Sequence, residues 1–195
     1  MRLIYSILIA YALWFFLFRV EFFNFWIRLI ISSTLLLTIA LFNFKKIKSF
    51  KLNLKFLFLG FLSGLIFYLF LFISFQIFQR FVYEGAKSVY NLSKGIEPSI
   101  IFIILIFTSS CEEIFWRGYV QNSLYKLFGC YKSVLLTSLV YSSVHISSLN
   151  IPLMFIALVM GILWGTLYYW SKSLLVVIAS HITWTELVFV IFPLT

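Results

Sequence analysis

Apolar runs long enough to cross a bilayer recur seven times in 195 residues, and nothing else constrains the fold of this chain as strongly. They cover approximately residues 3–18, 22–44, 56–79, 99–127, 131–148, 151–170 and 173–193. About 20 such residues suffice to span the hydrocarbon core. Hydrophobic residues make up 63% of the chain and charged ones 11%, against roughly a half and a quarter in soluble domains. A soluble core of this length could not bury that much apolar surface, so the bilayer is the solvent. Lipid offers backbone groups no hydrogen-bond partner, so each run is predicted helical. The expected fold is all-α: a polytopic membrane helix bundle of about seven transmembrane helices. Residues 1–98 form N-terminal helices and connecting loops, and residues 99–195 form a four-helix core.

The charges that remain are 15 basic and 6 acidic, a net of +9 with no aspartate. Without a soluble domain or basic face to carry it, this excess does not point to nucleic acid. It reads as topology instead, since lysines and arginines hold loops on the cytoplasmic side. The segment 45–55, KKIKSFKLNLK, contains five lysines and no acid. Placing it inside puts the N-terminus in the cytoplasm and the multi-pass chain in the cell membrane. Arg2, those five lysines, Lys126, Lys132 and Lys172 then make nine cytoplasmic charges, against five opposite: Arg19, Arg28, Arg80, Lys87 and Lys94. Arg2 with the first apolar run resembles a signal peptide, but no small-residue cleavage site follows, so a retained anchor is expected. A polar connection is expected over 80–99, where Gly85, Gly95 and Pro98 cluster. Cys111 and Cys130 form neither a disulfide framework nor a zinc-ligand pattern.

Ionisable groups inside spans are costly and usually functional. Here they are Glu112, Glu113 and Arg117 in the fourth span, His145 in the fifth, and His181 with Glu186 in the seventh. At about 1.5 Å rise per residue, Glu112 lies roughly 20 Å from the start of its span, His145 roughly 20 Å and His181 roughly 13 Å from theirs. All three fall near mid-depth and can meet. Glu113 and Arg117 are four positions apart and can pair along one helix face. Glu112 points about 100° away, towards the histidines. Ser109 and Ser110 permit close approach or a water. Tyr141 shares a face with His145, and Thr185 with His181.

A carboxylate and two imidazoles in a protected cavity can hydrolyse a bond. The carboxylate takes a proton from water, a histidine orients that water, and a further donor meets the oxyanion. The same three residues, Glu112, His145 and His181, could instead hold one divalent metal such as zinc. Residue types alone leave both routes open.

Three motifs carry a resemblance. The stretch 109–118, SSCEEIFWRG, resembles the EExxxR motif of the CPBP family, the CAAX-protease and bacteriocin-processing enzymes that include type II CAAX prenyl endopeptidases. YSSVH resembles the family's Phe-x-x-x-His, with Tyr141 in place of phenylalanine. HITWT resembles its His-x-x-x-Asn, with Thr185 in place of asparagine. The resemblance covers about residues 99–193. It implies an intramembrane endopeptidase acting near the end of a membrane-anchored, lipidated or precursor peptide. Glu112 would activate water with help from His145, Glu113 would pair with Arg117, and His181 with Thr185 would contact the oxyanion.

Other readings of the same residues are a non-catalytic immunity or scaffold protein, and a proton-coupled transporter. The transporter lacks the internal repeats and broken helices usual for that class. The aromatic residues read as lipid-facing and interfacial surface, and Gly161 with Gly165 as a helix-packing face.

Overall fold

The computed structural model describes residues 2–43 and 53–194. The lysine-rich segment 45–55 lies outside the described residues except for its last three. Eight α-helices follow in order: α1 (Arg2–Arg19), α2 (Phe25–Asn43), α3 (Leu54–Tyr90), α4 (Pro98–Glu113), α5 (Asn122–Phe128), α6 (Cys130–Ser143), α7 (Ile151–Ser171) and α8 (Leu174–Glu186). No strand occurs among the described residues.

Among the described residues, six helical stretches are long and apolar enough to cross a membrane. The seventh expected span is the shorter α6, extended by a 3₁₀ turn over Val144–Ser148. Its 14 and 5 residues reach ~31 Å together, because a 3₁₀ turn rises ~2.0 Å per residue against ~1.5 Å. The fourth span runs unbroken from Pro98 to Phe128. Within it, Ile114–Gln121 widens to i→i+5 bonding and links α4 to α5.

Helix ends follow local chemistry. Pro98 opens α4, where no amide donor is needed. Asn150 caps α7 by accepting from the Leu153 amide at 2.9 Å. Gly129, at φ +75°, turns the chain between α5 and α6.

The largest departure from expectation is at 80–99. Instead of a polar connection, α3 continues to Tyr90 and ends in a 3₁₀ turn over Asn91–Ser93. Gly85 alone does not break it, and no proline intervenes before Pro98. Nor is α3 straight. A Cβ at Gly60 would lie 2.6 Å from that of Ala179, and the Tyr90 hydroxyl donates to the Val188 carbonyl at 2.7 Å. A straight helix would separate positions 60 and 90 by ~45 Å, whereas 179 and 188 on α8 differ by ~14 Å. The end of α3 therefore folds back across the bundle. Asn150 Nδ2 holds it there, donating to the Gly85 carbonyl at 2.8 Å and to Ser88 Oγ at 3.0 Å, and Trp26 donates to the Leu92 carbonyl at 2.8 Å.

The core is built from close helix contacts and large aromatic side chains. At Gly161 an added Cβ would come within 3.0 Å of Ser138 Cβ, in keeping with the expected small-residue packing face. Trp14, Trp116, Trp164 and Phe115 are fully buried around it. Outward-facing residues such as Phe42, Leu54 and Phe81 are exposed and apolar, as lipid contact requires.

Candidate active site

Glu113 is 0% exposed and sits at the centre of a buried ionic cluster. One of its oxygens, Oε1, accepts from Arg117 Nη1 at 2.8 Å and meets His181 Nδ1 at 2.8 Å. The i, i+4 pair read from the sequence is present, but Glu113 also holds a histidine from α8. Arg117 extends further, donating from Nη2 to the Gly161 carbonyl at 3.2 Å. Gln121 repeats the contact one turn on, to the Gly165 carbonyl at 2.9 Å. Four residues apart, both side chains lie on the helix face turned to α7. The guanidinium lies over the rings of Tyr141 at 5.2 Å and Trp164 at 5.5 Å. The His181 ring stacks on Trp164 with centroids 3.8 Å apart.

A carboxylate only accepts hydrogen bonds, so a bond to Glu113 places a proton on Nδ1 of His181. Among the described residues the other nitrogen, Nε2, has no hydrogen-bond partner, and the residue lines a cavity of about 140 Å³. Glu112, Tyr141, His145, Ser109 and Thr185 line the same cavity. Glu112 accepts from the Tyr141 hydroxyl at 3.2 Å. The sequence pattern marked Tyr141 only as a neighbour of His145. A phenylalanine there could not make this bond.

His145 is held differently from His181. Its Nε2 faces the indole N–H of Trp14 at 3.1 Å and its Nδ1 the Tyr141 carbonyl at 2.8 Å. An indole only donates and a carbonyl only accepts, so Nδ1 carries the proton and Nε2 accepts. Both nitrogens are engaged. Trp14 belongs to a helix without any motif, and no sequence signal marked it. Thr185 directs its hydroxyl to the His181 and Ile182 carbonyls of its own helix, each at 3.0 Å. Ser109 Oγ lies 3.3 Å from Thr185 Oγ1. With the threonine hydrogen already used, Ser109 is the donor of that pair. Glu186 is buried, lies outside the cavity lining, and has no partner on either oxygen among the described residues.

Glu112, His145 and His181 thus share a cavity, yet no three His, Cys, Asp or Glu side chains among the described residues are grouped as a metal ion would require. His145 also has no free nitrogen to offer. The arrangement does not fit a metal held by these three residues.

Inside a polytopic helix bundle, a cavity of about 140 Å³ with largely apolar walls has a carboxylate and an imidazole turned into it. Residues 95–186 match the family model described as type II CAAX prenyl endopeptidase Rce1-like, and this segment of the chain is similar to that family. The matched segment holds every site residue named above except Trp14. No curated protein and no solved structure matches the chain.

Proposed function

We propose that this protein is a metal-independent intramembrane endopeptidase that uses Glu112 as its general base, with 99–195 as its catalytic core. The observation that carries the reading is the division of the acidic pair. Glu112 faces the cavity with a single neutral donor, Tyr141, while Glu113 is committed to Arg117 and His181.

In this mechanism a water in the cavity gives a proton to Glu112 as its oxygen bonds to the scissile carbonyl carbon. The negative charge that develops on the carbonyl oxygen is met by His181, whose Nε2, when protonated, donates to it while Glu113 fixes the ring through Nδ1. The C–N bond then breaks, and Glu112 passes its proton to the leaving nitrogen. His145 positions the water-bearing side of the cavity through Tyr141. The Thr185 hydrogen is spent on its own helix and that of Ser109 on Thr185, so His181 is the donor that meets the oxyanion. The substrate is a membrane-anchored or lipidated peptide or protein, and the chain resides in the cell membrane with its N-terminus cytoplasmic.

The test is a comparison of peptide termini in membranes from wild-type and Glu112→Gln cells. Uncleaved precursors should accumulate in the variant, with the rate of their processing lowered by roughly 10²- to 10⁴-fold. Identical termini with equally abundant, folded variant protein would support the immunity or scaffold reading instead.

A further inference from the structure

Four buried rings beside the cavity meet edge to face in a closed circuit. Trp14 packs on His145 with centroids 5.7 Å apart, His145 on Tyr141 at 5.3 Å, Tyr141 on Trp116 at 5.4 Å, and Trp116 on Trp14 at 6.4 Å. Edge-to-face contact is an arrangement that aromatic quadrupoles favour. Three of these rings come from the segment that carries the motifs, and the fourth, Trp14, comes from α1. The two indoles differ. Trp116 Nε1 has no partner among the described residues, whereas Trp14 Nε1 donates to His145 Nε2 at 3.1 Å.

That bond is not what holds α1 in place. The Tyr119 hydroxyl meets Ser6 Oγ at 3.2 Å and the Tyr11 hydroxyl meets Ser143 Oγ, so α1 is tied to the widened turn and to α6 before the chain reaches Trp14. What the indole N–H adds is control of one ring. By making Nε2 the acceptor it keeps the proton of His145 on Nδ1, which donates to the Tyr141 carbonyl at 2.8 Å. His145 is then fixed at both nitrogens. Against it lies the Tyr141 ring, whose hydroxyl donates to Glu112 at 3.2 Å.

We infer that Trp14 is a positioning residue of the site: through His145 and Tyr141 it sets the place of Glu112 in the cavity. The first helix is thus a working part of the site, although it lies outside the segment that carries the motifs. The effect on turnover rests on the endopeptidase reading above, whereas the hold on His145 does not.

Two measurements separate these. The chain has only two histidines, so ¹⁵N-histidine labelling of the full-length protein gives two imidazoles, which His181→Gln assigns. In the wild type His145 should be the Nδ1–H tautomer with Nε2 at the shift of a hydrogen-bonded acceptor. A proton on Nε2 overturns the inference, because Trp14 then has no acceptor there. Trp14→Phe keeps a ring in the circuit and removes the N–H. Its His145 Nε2 signal should move to that of an unbonded nitrogen. The second measurement is turnover of the precursor that accumulates in Glu112→Gln membranes: in Trp14→Phe, kcat should fall about tenfold to a hundredfold with KM little changed. An unmoved signal overturns the inference, and so does a moved signal with wild-type kcat. Should Trp14→Phe fail to fold, benzothienylalanine at position 14, an isostere with sulfur in place of the N–H, carries the same two expectations. If no precursor accumulates in Glu112→Gln membranes, the endopeptidase reading fails, and the spectra alone decide whether Trp14 fixes His145.

Discussion

Replacing Glu113 by methionine removes the carboxylate bonded to two buried groups, Arg117 and His181, and the two consequences can be separated. Arg117 is 1% exposed and meets Glu113 at 2.8 Å. Left without its partner, a buried charge costs about 3–5 kcal/mol of stability, and surrounding hydrocarbon offers no compensation. A second change, Arg117→Met, removes the stranded charge, and an apolar pair of similar volume should bring stability back to within about 1–2 kcal/mol of wild type. Catalysis should not recover with it. His181 Nδ1 has lost the acceptor 2.8 Å away that fixes its ring, and a mispositioned acid–base group forfeits roughly 10²- to 10⁴-fold in rate. The assay pairs thermal unfolding of the detergent-purified protein with processing of an accumulated precursor. The single variant should unfold early and the double variant near the wild-type temperature, with both inactive. Full activity in the double variant would refute the reasoning, because Glu113 would then serve Arg117 alone.

Tyr141→Phe restores the family's aromatic residue but deletes the 3.2 Å bond to Glu112. A hydrogen bond to an ionised group contributes about 1.5–3 kcal/mol, so turnover should change by roughly ten- to a hundredfold with little effect on unfolding temperature. Trp14→Phe keeps a ring against Trp116 but takes the donor from His145 Nε2. A buried acceptor left unsatisfied costs about 1–3 kcal/mol; an unchanged melting temperature would show that the contact contributes nothing. Because no three ligating side chains are grouped at the site, chelation of divalent metals should leave precursor processing intact in purified protein. Loss of processing that added zinc restores would refute the metal-independent mechanism.

Much of this protein is legible along the chain because its solvent is uniform. In a bilayer any apolar run of sufficient length must satisfy its own backbone, so run length alone predicts helices: the observed α1, α2 and α7 begin and end close to the expected positions, and α8 does so once the widened turn Leu187–Ile191 that continues it is counted. The Glu113–Arg117 pair was equally legible, since four residues on one helix fix a neighbour without any tertiary information. The extent of α3 was not. Gly85 and the charges near it look like a loop, but Asn150 and Trp26 supply hydrogen bonds to that stretch from distant parts of the sequence.

The site divides along the same line. Residue types and helical phase were enough to identify Glu112, His145 and His181 as the polar groups that could meet in the membrane. Which atom of each group is free was decided by tertiary contacts. His145 takes its donor from Trp14, 131 positions away, and His181 meets Glu113 across 68. Arg117 and Gln121 likewise find their acceptors on α7, at the Gly161 and Gly165 carbonyls 44 positions away. Local pattern determines which residues can share a depth and a face, because helix rise and twist are fixed by the backbone. It does not determine hydrogen-bond partners, because those depend on where other helices come to rest.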